Sequence, residues 1–252
     1  LYKSSFHFWP ETVTMDSYKL VFRDDSFLTG IWNSVKYTVV GTFINVILNI
    51  CAAYPLSKRN FKGQSLLMKL FTFTMFFSSG IVPTYILINK MHLIDSFWVM
   101  ILPSAIGTFN VILMRTYFQT NIPQELEDAA SVDGCTNFKF LIRIALPLSI
   151  PIIVVVALYY GVGHWNDYFT AMMYLTKRQL YPLQLVLREI LLENEAGKML
   201  NVATDAAYAE RMMSRMGLKY AVIVISTIPI LVIYPFVQKF FSKGVMVGAV
   251  KG

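Results

Sequence analysis

The chain has 252 residues, 56% of them hydrophobic in type and 15% charged, with a mean hydropathy of +0.53. That charge content is below what a soluble domain of this length carries. Uncharged windows recur that can cross about 30 Å of hydrocarbon, so the composition points away from a soluble all-helical core and to an all-α integral membrane protein. The net charge of +7 would suggest nucleic acid or an acidic surface in a soluble protein; here its placement matters more than its sum.

Residues 1–30 mix aromatics and charges and read as an outer interfacial segment, with a short amphipathic helix around 15–22. Trp9 and Trp32 suit a headgroup belt. The chain opens without Met, so a preceding stretch is expected; with residues 1–30 outside, one earlier span would return the start to the cytoplasm. Five uncharged windows follow, at 37–57, 70–89, 96–114, 144–166 and 220–238, each read as one long span. In the first, Asn45 and Asn49 are four apart and share a helix face. The second contains "FFSSGIVPTY", with Ser78, Ser79, Gly80, Pro83 and Tyr85 in mid-membrane. Such a break survives only where neighbours or cavity water satisfy the freed backbone groups. The third holds Pro103, Gly107 and Asn110; the fourth Pro147, Pro151, Gly161 and Gly163; the fifth Pro229 and Pro235. These polar residues read either as glue between helices or as the lining of a hydrophilic path.

Lys58, Arg59, Lys62 and Lys69 crowd the loop after the first window, and Lys239, Lys243 and Lys251 follow the last, without acids. The positive-inside rule places both segments in the cytoplasm. Chain order then puts 1–30, 90–95 and 164–216 outside, and 115–143 and the C-terminus inside. Where the fourth window meets the long outer loop, Trp165, Asn166, Asp167 and Tyr168 form a cluster. Aromatic faces, an amide and a carboxylate suit sugar rings and hydroxyls; the alternative is belt anchors with Asn166 and Asp167 capping the next helix. Further on, Leu183, Leu185, Val186 and Ile190 lie near one face of a helix ending around Glu193.

Catalytic patterns are absent from the sequence. There is no phosphate loop, Rossmann glycine pattern, H-E-x-x-H or C-x-x-C. His7, His92 and His164 are scattered at expected outer positions, so no metal site and no catalytic residue is assigned. His164 and Asp167 are three apart but lack a nucleophile elbow beside them. Cys51 and Cys135 fall in a membrane window and a cytoplasmic loop and form no disulfide framework.

The inner loop is the informative stretch. Pro123 suits a first helical turn, Asn121 is a plausible cap, and Glu125, Glu127 and Asp128 favour the positive helix end. Leu126, Ala129 and Ala130 make a small-residue face, and Asp133-Gly134 breaks the helix. A second helix is expected from near Thr136 into the fourth span. A short projecting helix with small side chains suits a groove in another protein.

The pattern of Asp128, Ala129, Ala130, then Gly134, then Ile144, Leu146 and Pro147 resembles the EAA loop of ABC-importer permeases, with every gap correct. The "WNDY" stretch and the ending "QKFFSKGVMVGAVKG" resemble the carbohydrate-uptake branch, second permease subunit, maltose-type; the outer insertion resembles its oligosaccharide subfamily. The resemblance covers the whole chain. Asp128 stands where the family usually has Glu, leaving open whether it or Glu127 faces the partner, and Cys135 replaces the usual Ala.

The resemblance implies one type I transmembrane domain over 1–252, with five spans here and six expected. Residues 121–140 would be the cytoplasmic coupling loop. Leu126, Glu127, Asp128, Ala129, Ala130, Asp133, Gly134, Ile144, Leu146 and Pro147 would couple to the ATPase. Asn45, Asn49, Ser78, Ser79, Tyr85, Asn110, Trp165, Asn166, Asp167 and Tyr168 are pathway candidates. The implied partners are a second permease subunit, a cytoplasmic ATPase dimer that binds ATP and Mg, an extracytoplasmic solute-binding protein, a sugar and the lipid bilayer of the cell membrane. The permease itself would need no cofactor. The rivals are an ion-coupled secondary transporter, which would want ionisable groups at the membrane midplane, and a non-catalytic membrane scaffold.

Overall fold

The computed structural model describes residues 15–77, 79–199, 217, 219–235 and 238; among these, the regular elements are helices. The residues before 15, Ser78, the 200–216 stretch and the ending after 238 lie outside the described residues, and with them fall the expectations for His7, Trp9, Ser78 and the C-terminal lysines.

A short helix α1 (Asp16–Arg23) leads into α2 (Asp25–Ser57), whose start is capped by the Asp24 carboxylate accepting from the Ser26 N–H at 2.9 Å. At 33 residues α2 is roughly 50 Å long. It begins well ahead of the first window, because no strong breaker separates 25–36 from the span. Its buried stripe runs Gly30, Ser34, Tyr37, Gly41, Asn45, Asn49 and Ala53, at three- and four-residue steps, with Asn33 beside it. The opposite face exposes Trp32, Val39, Phe43 and Ile47. Small and polar inside with apolar outside is the arrangement that suits a lipid solvent, where close approach and interhelical hydrogen bonds drive packing.

The second window is broken. Helices α3 (Gln64–Phe76) and α4 (Ile81–Lys90) are together apolar enough for a span, yet they bend by 114°. Gly80 at the break has φ +80, a conformation glycine adopts cheaply. The Thr84 hydroxyl donates to the Gly80 carbonyl at 2.7 Å and pairs with the Ser79 hydroxyl at 3.0 Å, so side-chain hydrogen bonds brace the break. The third window also departs from a single helix. It forms a 3-10 turn (Phe97–Met100), then turns through Pro103 to α5 (Thr108–Asn121); Pro103 cannot donate to a helix and clashes with the preceding turn.

After α5 come α6 (Gln124–Val132), α7 (Asn137–Phe140), a π-helical turn (Leu141–Ala145), α8 (Leu146–Leu148) and α9 (Ile150–Trp165). The run 137–165 bends by 81° at Ser149, where Pro151 lacks the N–H that the Pro147 carbonyl would receive. Beyond α9 come α10 (Phe169–Tyr174) and α11 (Leu183–Met199), and an apolar helix α12 (Lys219–Pro235) follows. Helix α11 runs beyond the expected end near Glu193.

Among the described residues, α2 alone is long and apolar enough to cross a membrane, or three segments if each bent pair is one span. The long-span reading therefore holds for the first window as a single helix, while the second, third and fourth are interrupted at their Gly and Pro residues.

Helix α2 is the axis of the bundle, packed along α9, α5 and α11. One core cluster joins its C-terminal end to α5, α6, α7 and α9 through Ala53, Tyr54, Met114, Phe118, Ala130, Phe140 and Val156. A second joins Tyr37 to Val99, Met100, Tyr174 and Leu185, and a third joins Phe27 to Trp165, Leu183 and Val222.

Candidate functional site

The 121–148 segment forms the expected pair of helices, with one correction. Asn121 does not cap α6; its amide donates back to the Tyr117 carbonyl at 3.2 Å, and Pro123 occupies the cap position. Helix α6 ends at Val132, and Gly134, at φ +74, makes the reversal. The Thr136 hydroxyl then accepts from the Lys139 N–H at 3.4 Å to start α7.

Helix α6 has two unlike faces. Ala130 is 8% exposed and belongs to the chain's own core cluster. Glu127 turns the same way and places Oε2 2.6 Å from the Nζ of Lys58, the residue that ends α2. Lys58 Nζ also lies 4.3 Å from the Tyr54 ring centre and 4.9 Å from that of Phe140, so one ammonium links α2, α6 and α7. The other face exposes Leu126, Asp128, Ala129, Val132 and Asp133, with Phe138 beyond the turn. Of the two neighbouring acids, Glu127 is thus held by its own chain and Asp128 faces out. Of the two alanines, Ala129 is the exposed one. Ile144 and Leu146 are half-buried, and Pro147 is exposed.

The end of α2 is held from several sides. The Leu56 carbonyl accepts from Arg115 Nε at 2.8 Å and from Gln64 Nε2 at 2.5 Å, and the Ser57 carbonyl accepts from Gln119 Nε2 at 3.2 Å. These side chains of α3 and α5 satisfy carbonyls that the helix end leaves open, and Arg115 brings positive charge to its negative pole. A groove lined by Lys58, Arg59, Asn60, Gln124, Glu125 and Asp128 lies between this end and α6.

The pathway candidates fall into separate groups. Asn45 and Asn49 are fully buried between α2 and α9. Asn45 Nδ2 and His164 Nε2 share a hydrogen bond at 2.9 Å, and Asn49 Nδ2 donates to the Tyr160 hydroxyl. That hydroxyl also accepts from the Gly107 N–H at 2.7 Å, tying in the start of α5, where Asn110 is buried. His164 is therefore not at an outer loop position as expected from sequence: it is buried at the end of α9 against the middle of α2. A Cβ at Gly41 would lie 2.5 Å from its Nε2, so this approach requires glycine. Ser79 and Tyr85 sit on the exposed α3–α4 segment, with Tyr85 stacked on Tyr174 at 5.9 Å.

At the end of α9, Trp165 is buried and donates its indole N–H to the Ser226 carbonyl at 3.0 Å. Asn166 donates to the Val162 carbonyl at 3.0 Å, and Asp167 accepts from the Thr170 N–H at 3.0 Å, at the first turn of α10. Tyr168 is exposed. Nearby, the Asp95 carboxylate accepts from the Thr176 hydroxyl and N–H, both at 2.5 Å, and from the Lys177 N–H at 3.1 Å. The Thr176 hydroxyl, then its N–H, hold the Asp95 carboxyl below the ordinary carboxylate range.

Sequence reasoning did not single out Lys58 as a tie to α6, nor Tyr160, Gln184 or Arg188. The Tyr160/His164 and Gln184/Arg188 spacings each put two residues on one helix face; that spacing is the one signal available in sequence. Among the described residues, no group of three or more His, Cys, Asp or Glu side chains could hold a metal.

Comparison with known proteins agrees with this architecture. Over 252 residues the chain is 43% identical to Protein LplC of Bacillus subtilis (strain 168), covering all of this chain and 84% of that protein. It is 40% identical to the polygalacturonan/rhamnogalacturonan transport system permease protein YtcP of the same organism, covering 96% of this chain and 84% of that one. The crystal structure of a bacterial ABC transporter involved in the import of the acidic polysaccharide alginate matches with a TM-score of 0.82 at 30% identity, covering 92% of this chain and 81% of the matched chain. The fold is thus the all-helical type I ABC-importer permease fold, and the chain is a membrane transport component of the permease kind, not the ATPase. The family described as "Binding-protein-dependent transport system inner membrane component" matches residues 39–247, and the chain belongs to it.

Proposed function

We propose that this chain is one of two permease subunits of an ATP-driven oligosaccharide importer, lining half of the pathway and coupling through α6 to a cytoplasmic ATPase dimer. The observation that carries the reading is the division of α6 into two faces. Glu127 and Ala130 grip the chain's own α2 and core, while Leu126, Asp128, Ala129 and Val132 remain open. A helix fastened on one side and bare on the other can receive a push and pass it on. The push reaches α2 through Lys58 and reaches α9 through α7 and the bent run to Trp165. Closure of the ATPase dimer would then rock the helices between inward- and outward-open states.

In this reading 121–140 and the C-terminus are cytoplasmic, and 164–216 is outside, facing an extracytoplasmic binding protein. The lysine-rich loop at 58–69 supports this orientation. Ser79, Tyr85, Asn166 and Tyr168 remain the pathway candidates with exposed positions. Asn45 and Asn49, enclosed between α2 and α9, act as ties that hold the two helices in register. Oligosaccharide cargo is supported by the relatives named for polygalacturonan and alginate transport.

The test is ATP hydrolysis by the complete complex in lipid vesicles. Stimulation by sugar-loaded binding protein, with sugar accumulating inside, is the expected result. Sugar uptake that persists without ATP and collapses with an ion gradient would instead establish a secondary transporter.

A further inference from the structure

Three elements converge outside the buried bundle: the turn after α9, helix α10 and the first turns of α11. Gln184 and Arg188 lie four apart on α11 and share a face. Gln184 Nε2 donates to Asn166 Oδ1 at 3.4 Å. The guanidinium carbon of Arg188 lies 5.8 Å from the Tyr168 ring centre, and its Nη1 rests against Met172 Sδ at 2.6 Å. A thioether is a weak acceptor. Among the described residues, no carboxylate lies within ion-pair distance of Arg188. The neighbouring Glu189 is 3.9 Å from Arg178 instead, and Asp167 is turned to the Thr170 N–H.

An arginine stacked on a tyrosine, without an acid, beside two side-chain amides, is an incomplete recognition group. The guanidinium fork offers parallel N–H donors that match a carboxylate. The Tyr168 ring, 43% exposed, offers an apolar face for a sugar ring, and the amides of Asn166 and Gln184 offer donors and acceptors for hydroxyls. We infer that Asn166, Tyr168, Gln184 and Arg188 form a subsite for a uronate residue of the transported oligosaccharide, with Arg188 taking its carboxylate. The cargo class is then acidic. This rests on the permease reading above and adds a substrate class to it.

The experiment uses the complete complex in vesicles, with a galacturonate trisaccharide and its neutral methyl ester as probes. Arg188→Gln should lower the trisaccharide carried per ATP hydrolysed by about tenfold, the loss expected for one charge-assisted pair. Arg188→Lys should keep most of it. Binding-protein-stimulated ATP hydrolysis per intact complex should stay unchanged in both, which a merely structural arginine would not permit. Unchanged trisaccharide flux in Arg188→Gln overturns the inference. So does a joint loss of flux and of ATPase stimulation, which would assign Arg188 to assembly or to an acidic patch on the binding protein. Ester uptake equal to acid uptake in the unaltered complex overturns the acidic class while leaving the importer reading intact. An unaltered complex that hydrolyses ATP on addition of binding protein and carries neither sugar overturns the uronate subsite and the acidic cargo class.

Discussion

Glu127 and Lys58 meet at 2.6 Å, so the helix that presents an open face is clamped to the end of the longest helix of the bundle. The pair is partly screened, with side-chain exposures of 33% and 20%, and pairs of this kind contribute about 0–1 kcal/mol to stability. Glu127→Gln should therefore barely change the melting temperature of the complex, yet lower the sugar carried per ATP hydrolysed. The exchange Lys58→Glu with Glu127→Lys should recover part of that coupling. Full coupling in Glu127→Gln would show that the clamp transmits nothing.

The two alanines of α6 should separate cleanly. Ala130 belongs to the core cluster with Phe118 and Phe140, so Ala130→Leu overpacks the chain's own interior, at about 1–3 kcal/mol. It should lower thermal stability of the isolated permease pair. Ala129 is exposed, so Ala129→Trp should spare that stability and weaken retention of the ATPase during purification. A melting temperature equally lowered by both would contradict the two-faced helix.

Much of this segment was legible because its signals are local. Pro123, Asp133-Gly134 and Thr136 each act within one turn, and the helices start and stop beside them. Asn121 misled because it still belongs to the last turn of α5, where its amide donates to the Tyr117 carbonyl, and the cap position falls two residues later at Pro123. The long-range pairs were not legible: nothing near Lys58 announces Glu127, and nothing near Tyr168 announces Arg188. His164 was misplaced because a polar residue beside an expected outer loop reads as surface, whereas here it fills the space that Gly41 leaves open on α2. The serine, glycine and proline residues of the second window marked the place of its break; the size of the bend depends on packing against other helices.

The contact between Gly41 and His164 gives a third prediction. Gly41→Ala should destabilise the α2–α9 packing, because a methyl group would lie 2.5 Å from His164 Nε2. His164→Ala should relieve most of that clash, so the double variant should be more stable than the sum of the single losses implies. Strict additivity in thermal unfolding would mean that the two residues do not touch.

The Asp95 clamp predicts a pH dependence. Its carboxyl is held below the ordinary range by the Thr176 hydroxyl and N–H. A lowered folded-state value means that the charged form is favoured by folding. The contribution is then fully present above the unfolded value near 4 and is lost as pH falls through the lower folded value. Asp95→Asn should be less stable than the unaltered chain at neutral pH, and the two melting temperatures should draw together as pH falls below the unfolded value. A gap that stays constant with pH would assign the clamp to geometry rather than charge.

The claim that α6 meets the ATPase through its open face is tested most directly by cross-linking in the assembled, transport-active complex, with Cys51 and Cys135 replaced by serine. A cysteine introduced at Ala129 should cross-link to the ATPase subunit with a short bifunctional thiol reagent. Introduced instead at Ala130 or Thr176, it should not. Failure of the Ala129→Cys variant to reach the ATPase while transport is intact, or its labelling by an impermeant reagent added from outside sealed cells, would contradict the account.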